Sequence, residues 1–248
     1  MNKLLGTLCL SCGLAFGAVT SAAAQQIEWD YPVKAGTPAW SKLSNVDERI
    51  KVCQVPADLL SKLSTSQLLS IIKSHPFFRS YVFSNSPIEG FRSSMKSFNG
   101  YQEFLKRPDA LAIMMKSYET ENFSQLSSFK SDIEKGQYSL TVLGVELMMS
   151  NDELISNATA SNRKSFLAIV KTKHDEKSEY QEHMGGISSV TTAFLASKLM
   201  AGMSDIPTTP SAISGDRMTS FQSRMVPFDK DIVDEILTRL SLSAKSSR

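Results

Sequence analysis

The chain has 248 residues, 42% of them hydrophobic and 21% charged, with a formal net charge of +2. That length and apolar fraction suit one large domain or two small ones with a real core, and they exclude a chain disordered throughout. The near-neutral charge removes the electrostatic case for a dedicated nucleic-acid binder, and three cysteines cannot build a disulfide scaffold.

Residues 1–24 have the pattern of a secretory signal. Lys3 supplies a positive start, Leu4 through Val19 are mostly apolar, and Ala22-Ala23-Ala24 place small residues ahead of a cleavage point before Gln25. The apolar run is shorter than the ~20 residues a membrane span needs, and no later segment is long and uncharged enough, so no transmembrane span is expected in the mature chain. Cys9-Leu10-Ser11-Cys12 lacks the leucine three residues before a lipid-modified cysteine. Cleavage would remove Lys3, leaving a net charge of +1, and would remove Cys9 and Cys12, leaving Cys53 alone. Cys53 follows Ile50-Lys51-Val52 and is expected to be a small buried side chain, because no base stands near it in sequence.

Residues 25–43 lack helical periodicity and carry Trp29, Tyr31, Pro32, Gly36, Pro38 and Trp40. They predict an extended arm whose rings pin it to the body. Helical signals begin at residue 44. Asn45 or Ser44 caps a helix through Val52, and Pro56 takes a first helical position ahead of Ala57-Asp58-Leu59-Leu60. Ser64-Thr65-Ser66-Gln67 is a capping box before Leu68, Leu69, Ile71 and Ile72, and His75-Pro76 stops that helix. The cluster of Phe77, Phe78, Tyr81, Val82 and Phe83 predicts a core segment. Two helical pieces, 87–98 and 101–106, break at Asn99-Gly100, and Arg107-Pro108-Asp109 restarts a helix carrying Leu111, Met114, Met115 and Tyr118.

Residues 119–137 predict a loop or weak helix. Leu140 to Met149 is apolar nearly all round and is assigned as helix from its helical neighbours. A long helix over 165–183 carries Phe166, Leu167, Ile169 and Val170, then a mixed-sign half with Lys171, Lys173, Asp175, Glu176, Lys177, Glu179 and Glu182, which predicts a solvated face. Gly185-Gly186 allows a reversal into Ile187, Val190, Phe194, Leu195, Leu199 and Met203, which completes a helical hairpin. Residues 204–228 read as a linker. Asp229 caps a last helix over 229–243 with Ile232, Val233, Ile236, Leu237 and Leu240 on one face, and 244–248 form a tail.

The chemistry-bearing residues form no dense motif. His174 and His183 on one helix lie roughly 13 Å apart along the axis on opposite faces, so they cannot share an ion. Glu179 and His183 share a face, but two ligands are too few for zinc. Ser70/Lys73, Ser93/Lys96, Ser127/Lys130 and Ser161/Lys164 match Ser-x-x-Lys at a frequency so serine-rich a chain reaches by chance. Ser204-Asp205-Ile206 and Lys171-Thr172-Lys173 only partly match the companion motifs of penicillin-binding enzymes. No nucleophile elbow, phosphate loop or dinucleotide fingerprint occurs. Asp152-Glu153 and Asp231, Asp234 and Glu235 predict solvated helix faces. Asn122-Phe123-Ser124 and Asn157-Ala158-Thr159 fit a glycosylation acceptor that matters only in a eukaryotic host. No residue is assigned a catalytic role, and no cofactor or metal is expected.

The stretch Tyr31-Pro32-Val33-Lys34-Ala35-Gly36-Thr37-Pro38-Ala39-Trp40, with Cys53-Gln54-Val55-Pro56 and the run from Phe98 to Arg107, resembles a group of exported bacterial proteins of unknown function. Their similar aromatic arm leads into a helical body. The resemblance covers the first half of the mature chain, and it implies a bacterial source and an all-helical body but no activity.

The reading is therefore an exported all-α protein of eight to ten helices: a signal (1–24), an arm (25–43), a body (44–203), a linker (204–228) and a docked helix (229–243). The body is an irregular bundle or a short superhelix of helix pairs. The expected function is non-enzymatic binding of an unidentified protein or envelope component, with a hydrolase of envelope material as the alternative.

Overall fold

The computed structural model describes residues 29–204, 213–225 and 229–245. The segment read as a signal lies outside them. The fold is all-α, an irregular bundle of fourteen helices with no strand among the described residues. In chain order these are α1 (Pro38–Ser41), α2 (Val46–Val52), α3 (Ala57–Leu60), α4 (Thr65–Lys73), α5 (Pro87–Met95), α6 (Asn99–Leu105) and α7 (Ala110–Glu119). Then follow α8 (Asp132–Met149), α9 (Asp152–Ser156), α10 (Ala160–Ser178), α11 (Gln181–Met184), α12 (Ile187–Met200), α13 (Gly215–Arg224) and α14 (Lys230–Lys245). Short 3-10 turns at Ser80–Phe83 and Phe123–Ser127 precede α5 and α8.

Two helical stretches with no solvent-facing side sit at the centre. From Val142 to Met149 every residue of α8 is buried, and α12 buries an unbroken run from Val190 to Ser197. A helix apolar all round must be surrounded. α12 accordingly touches α8, α9, α10, α11, α13 and α14, while α8 also meets α5 and α7. Capping follows the expected chemistry: Ser64/Gln67 and Ser131/Glu134 form reciprocal capping boxes, and the Asn45 side chain accepts from the Glu48 amide at 2.9 Å. Asp229 caps the start of α14 in the same way, and that helix docks on α10 and α12 through Ile232, Val233, Ile236 and Leu240.

Several elements depart from the sequence reading. The arm is not extended throughout, because Thr37 caps a single helical turn at Pro38–Ser41. Its rings do hold it to the body: the buried Tyr31 hydroxyl donates to the Ile71 carbonyl at 2.7 Å, Trp29 packs edge-on against it, and Trp40 lies against Phe77. Pro56 is the residue before α3, in extended backbone, and that helix lasts only four residues. Asn99-Gly100 starts α6 instead of breaking a helix. The break falls earlier, over residues 96–98, and the Asn99 side chain bridges both the amide and the carbonyl of Val55 (2.9 and 2.7 Å). The weak segment 119–137 holds a 3-10 turn and the first turns of α8.

Not all of the Phe77–Phe83 cluster is core. Phe78 and Tyr81 are buried, whereas Val82 and Phe83, at the end of the 3-10 turn, face outward, Phe83 90% exposed. Of the predicted linker 204–228, residues 205–212 and 226–228 lie outside the described residues, and the described part contains α13, whose Phe221 packs edge-on against Phe194. The last helix runs to Lys245, into the predicted tail.

His75 follows the C-cap of α4 and is buried among the rings of Phe98, Tyr31 and Phe77. Its Nδ1 accepts the Phe77 amide at 3.1 Å, so the native ring is neutral. Burial pulls its pKa down to about 4 from an ordinary 6.5. The unfolded chain takes up a proton below 6.5 that the folded chain refuses until about 4. Stability from this group is therefore complete above pH 6.5 and falls as pH drops from 6.5 to 4, by about 3 kcal/mol. His75→Asn keeps an acceptor for the Phe77 amide. Urea midpoints across pH 7 to 4 should show a shallower acid loss in this variant than in the parent.

Candidate functional site

Four helices meet at one carboxylate. Glu146 lies mid-way along the apolar half of α8 and is fully buried, as is Lys177 on α10. Lys177 Nζ donates to Glu146 Oε1 at 2.7 Å and to the Thr192 hydroxyl at 2.6 Å, and its third proton faces the Ser188 carbonyl at 3.4 Å. Glu146 also accepts the Tyr118 hydroxyl of α7 at Oε1 and the Thr191 hydroxyl of α12 at Oε2, each at 2.5 Å. Every donor of the ammonium and both carboxylate oxygens thus find partners, the condition under which a buried ion pair is tolerated. Burial pulls Lys177 below its ordinary value, with the Glu146 charge opposing it. The Tyr118 phenol is pushed well above its usual range by burial and then by Glu146.

This corrects the solvated face predicted for the second half of the 165–183 helix at Lys173 and Lys177, which are buried, while Asp175, Glu179 and Glu182 are exposed as predicted. Leu167, Val170, Lys173 and Lys177 repeat every three to four residues and are all buried, so the apolar stripe of α10 runs on through two lysines. Lys173 Nζ donates to the Glu121 carbonyl at 2.7 Å and to Glu176 at 2.8 Å, and lies over the Phe123 ring. The helix also ends sooner than predicted, at Ser178, so His174 and His183 belong to α10 and α11. His183 Nε2 stands 3.1 Å from Glu182 instead of facing Glu179. No group of three His, Cys, Asp or Glu residues able to hold a metal occurs among the described residues. Cys53 is buried, and burial raises its thiol to about 11, which removes it as a nucleophile at neutral pH. Asp152 pairs with Lys198 and Arg92, while Asp231 and Asp234 pair with Arg217 and Lys230 at the surface.

The Tyr118 ring connects this interior to the surface, where it lines a cleft of about 380 Å³. The helical repeat of α8 supplies one wall: Gln137, Tyr138, Thr141, Val142 and Val145 recur on one face. Opposite stand Lys73, the last residue of α4, Arg79 ahead of the 3-10 turn, and Glu121 just past α7. Glu121 is held in place. Its Oε1 accepts the Tyr138 hydroxyl at 2.8 Å and the Gln125 amide at 3.1 Å, while Lys73 stands 3.8 Å from Oε2. Burial, then Glu121, raises the Tyr138 phenol above its ordinary value. An adjoining cavity of about 470 Å³ between α4 and α7 shares Lys73 and Ser117. A larger groove of about 790 Å³ runs between α5, α12 and the start of α14. It is mainly apolar, and its Lys230 and Asp234 pair with each other.

Comparison with family models, with curated proteins and with solved structures finds no match for this chain.

Tyr118→Phe removes one donor from Glu146 while preserving the ring in the cleft wall. It should lower stability by about 1–3 kcal/mol, measured by urea denaturation. A loss below a few tenths would mean that the carboxylate does not depend on that bond.

Proposed function

We propose that this is an exported, non-enzymatic binding protein of the cell envelope. The export pattern of residues 1–24 and the resemblance of the arm to exported bacterial proteins support the location. The reading against catalysis rests on where several of the chemically capable groups lie, the partly exposed His183 having the exposed Glu182 beside it. The Cys53 thiol and the His75 imidazole are buried in apolar surroundings, and the Glu146, Lys177, Thr191 and Thr192 side chains are buried and bonded to one another. A nucleophile or proton carrier must reach its substrate, and these do not. The cleft at the surface instead combines fixed charge with an apolar wall, the composition of a ligand site.

The alternative is a hydrolase of envelope material with a site assembled from distant residues; the interior cluster is one such assembly, where the Thr192 hydroxyl lies 2.6 Å from an ammonium. Access to that cluster would need α7 or α12 to move aside.

The test expresses the full chain in a Gram-negative host and measures the intact mass of the osmotic-shock fraction. A chain beginning at Gln25 is expected, and a cytosolic chain retaining Met1 contradicts export. Incubation of the purified protein with murein sacculi and with phospholipid vesicles should release no fragments. Release that Thr192→Val abolishes would establish the hydrolase instead.

A further inference from the structure

The two sides of the cleft are unequal in what they leave unused. Its carboxylates are occupied. Glu134 Oε2 accepts from the Lys130 and Ser131 amides and from the Ser131 hydroxyl as part of the α8 capping box. Glu121 Oε1 accepts from Tyr138 and Gln125.

The cations are less fully engaged. Lys73 has only the loose 3.8 Å approach to Glu121, and the Arg79 guanidinium makes a single long bond, 3.4 Å from Nη1 to Thr141 Oγ1, among the described residues. Thr141 spends its own proton on the Gln137 carbonyl. A guanidinium carries five N–H donors in a planar fork that matches carboxylate or phosphate oxygens, and an ammonium carries three more. The same cleft is lined by the rings of Phe129 and Tyr138, whose centroids are 5.6 Å apart, and by Val142 and Val145.

We infer that the cleft between Lys73, Arg79 and the α8 face binds a small organic anion, its carboxylate or phosphate held by the two cations and its apolar part laid on Phe129, Tyr138, Val142 and Val145. The inference rests on the reading of this chain as a binding protein and names the ligand class. The volume of about 380 Å³ holds a molecule of roughly amino-acid to aryl-phosphate size. Glu121 has a defined part in this arrangement. Its carboxylate stands beside Lys73 and opposes an incoming anion, so it sets the affinity downward and ties it to ionic strength.

The test titrates the mature protein at low ionic strength with phenyl phosphate and 3-phenylpropionate, against 3-phenylpropanol and phenethylammonium, by calorimetry and by chemical-shift perturbation. Both anions should bind, the neutral alcohol about tenfold more weakly or worse, and the amine not measurably. The tighter of the two anions identifies phosphate or carboxylate as the natural head group. Lys73→Met and Arg79→Gln should each weaken the anions about tenfold, with an unchanged circular dichroism spectrum. Glu121→Gln retains an acceptor for Tyr138 and Gln125, and it should tighten anion binding severalfold. This opposite sign is one that a misfolded variant does not produce. Alcohol bound as tightly as the anions, no anion binding at millimolar concentration, or unchanged affinity in all three variants would overturn the inference. An exported, non-hydrolytic chain that ignores both anions would sink this site while leaving the binding-protein reading intact.

Discussion

The Glu146–Lys177 pair is the constraint on which the arrangement of this bundle depends. Helices packed by apolar stripes alone tolerate rotation and sliding, since many registers bury similar area. A carboxylate that must receive Tyr118 from α7, Lys177 from α10 and Thr191 from α12 accepts only one mutual orientation of these helices with α8. Any shift strands a charge in a medium that solvates it poorly. The apolar run of α8 and the unbroken burial of α12 supply most of the favourable area, and the pair selects which of the possible packings is occupied.

The same constraint reaches the surface. Tyr118 has its hydroxyl on Glu146 and its ring in the cleft wall, so the α7–α8 spacing that the pair requires is also the spacing that opens the cleft. Lys173, one turn before Lys177, holds the Glu121 carbonyl and thereby the place where that side chain enters the cleft. Lys73 and Arg79 come from the other side, on a segment anchored by Tyr31 to Ile71 and by Tyr81 to the Leu140 carbonyl. The cleft therefore lies on the seam between the aromatic N-terminal layer and the central helices, and neither layer supplies both its cations and its apolar wall.

Much of the fold was legible because it rests on local rules. The capping box at Ser64, the caps at Asn45 and Asp229 and the reversal at Gly185, whose φ is 68°, depend on a few consecutive residues; the equally local box at Ser131 was passed over inside a polar stretch read as loop or weak helix. The amphipathic face of α14 was equally plain. The core pair was not, because charge in a mixed-sign run normally marks solvent. The available signal was the stripe Leu167, Val170, Lys173, Lys177, which continues helical spacing through two lysines, together with one glutamate in an otherwise apolar decapeptide from Leu140 to Met149. Each alone is unremarkable, and only the fold sets them 2.7 Å apart. The cleft was invisible for a related reason: Lys73, Arg79, Glu121 and Tyr138 converge from four separate elements. Phe83 was misread because apolar composition alone marks a core segment and does not say which of its side chains the chain turns outward.

A double-mutant cycle on Glu146 and Lys177 tests the central claim most directly. Glu146→Met and Lys177→Met should each destabilise the protein by about 3–5 kcal/mol, because each leaves a buried charge or its donors without a partner. The double variant should lose less than the sum of the two by about 2 kcal/mol or more, since no buried charge is then left unpaired, although the Tyr118 hydroxyl still lacks its acceptor. Single losses of about 1 kcal/mol that add within a few tenths would show that helix packing is set without the pair, and would contradict the account.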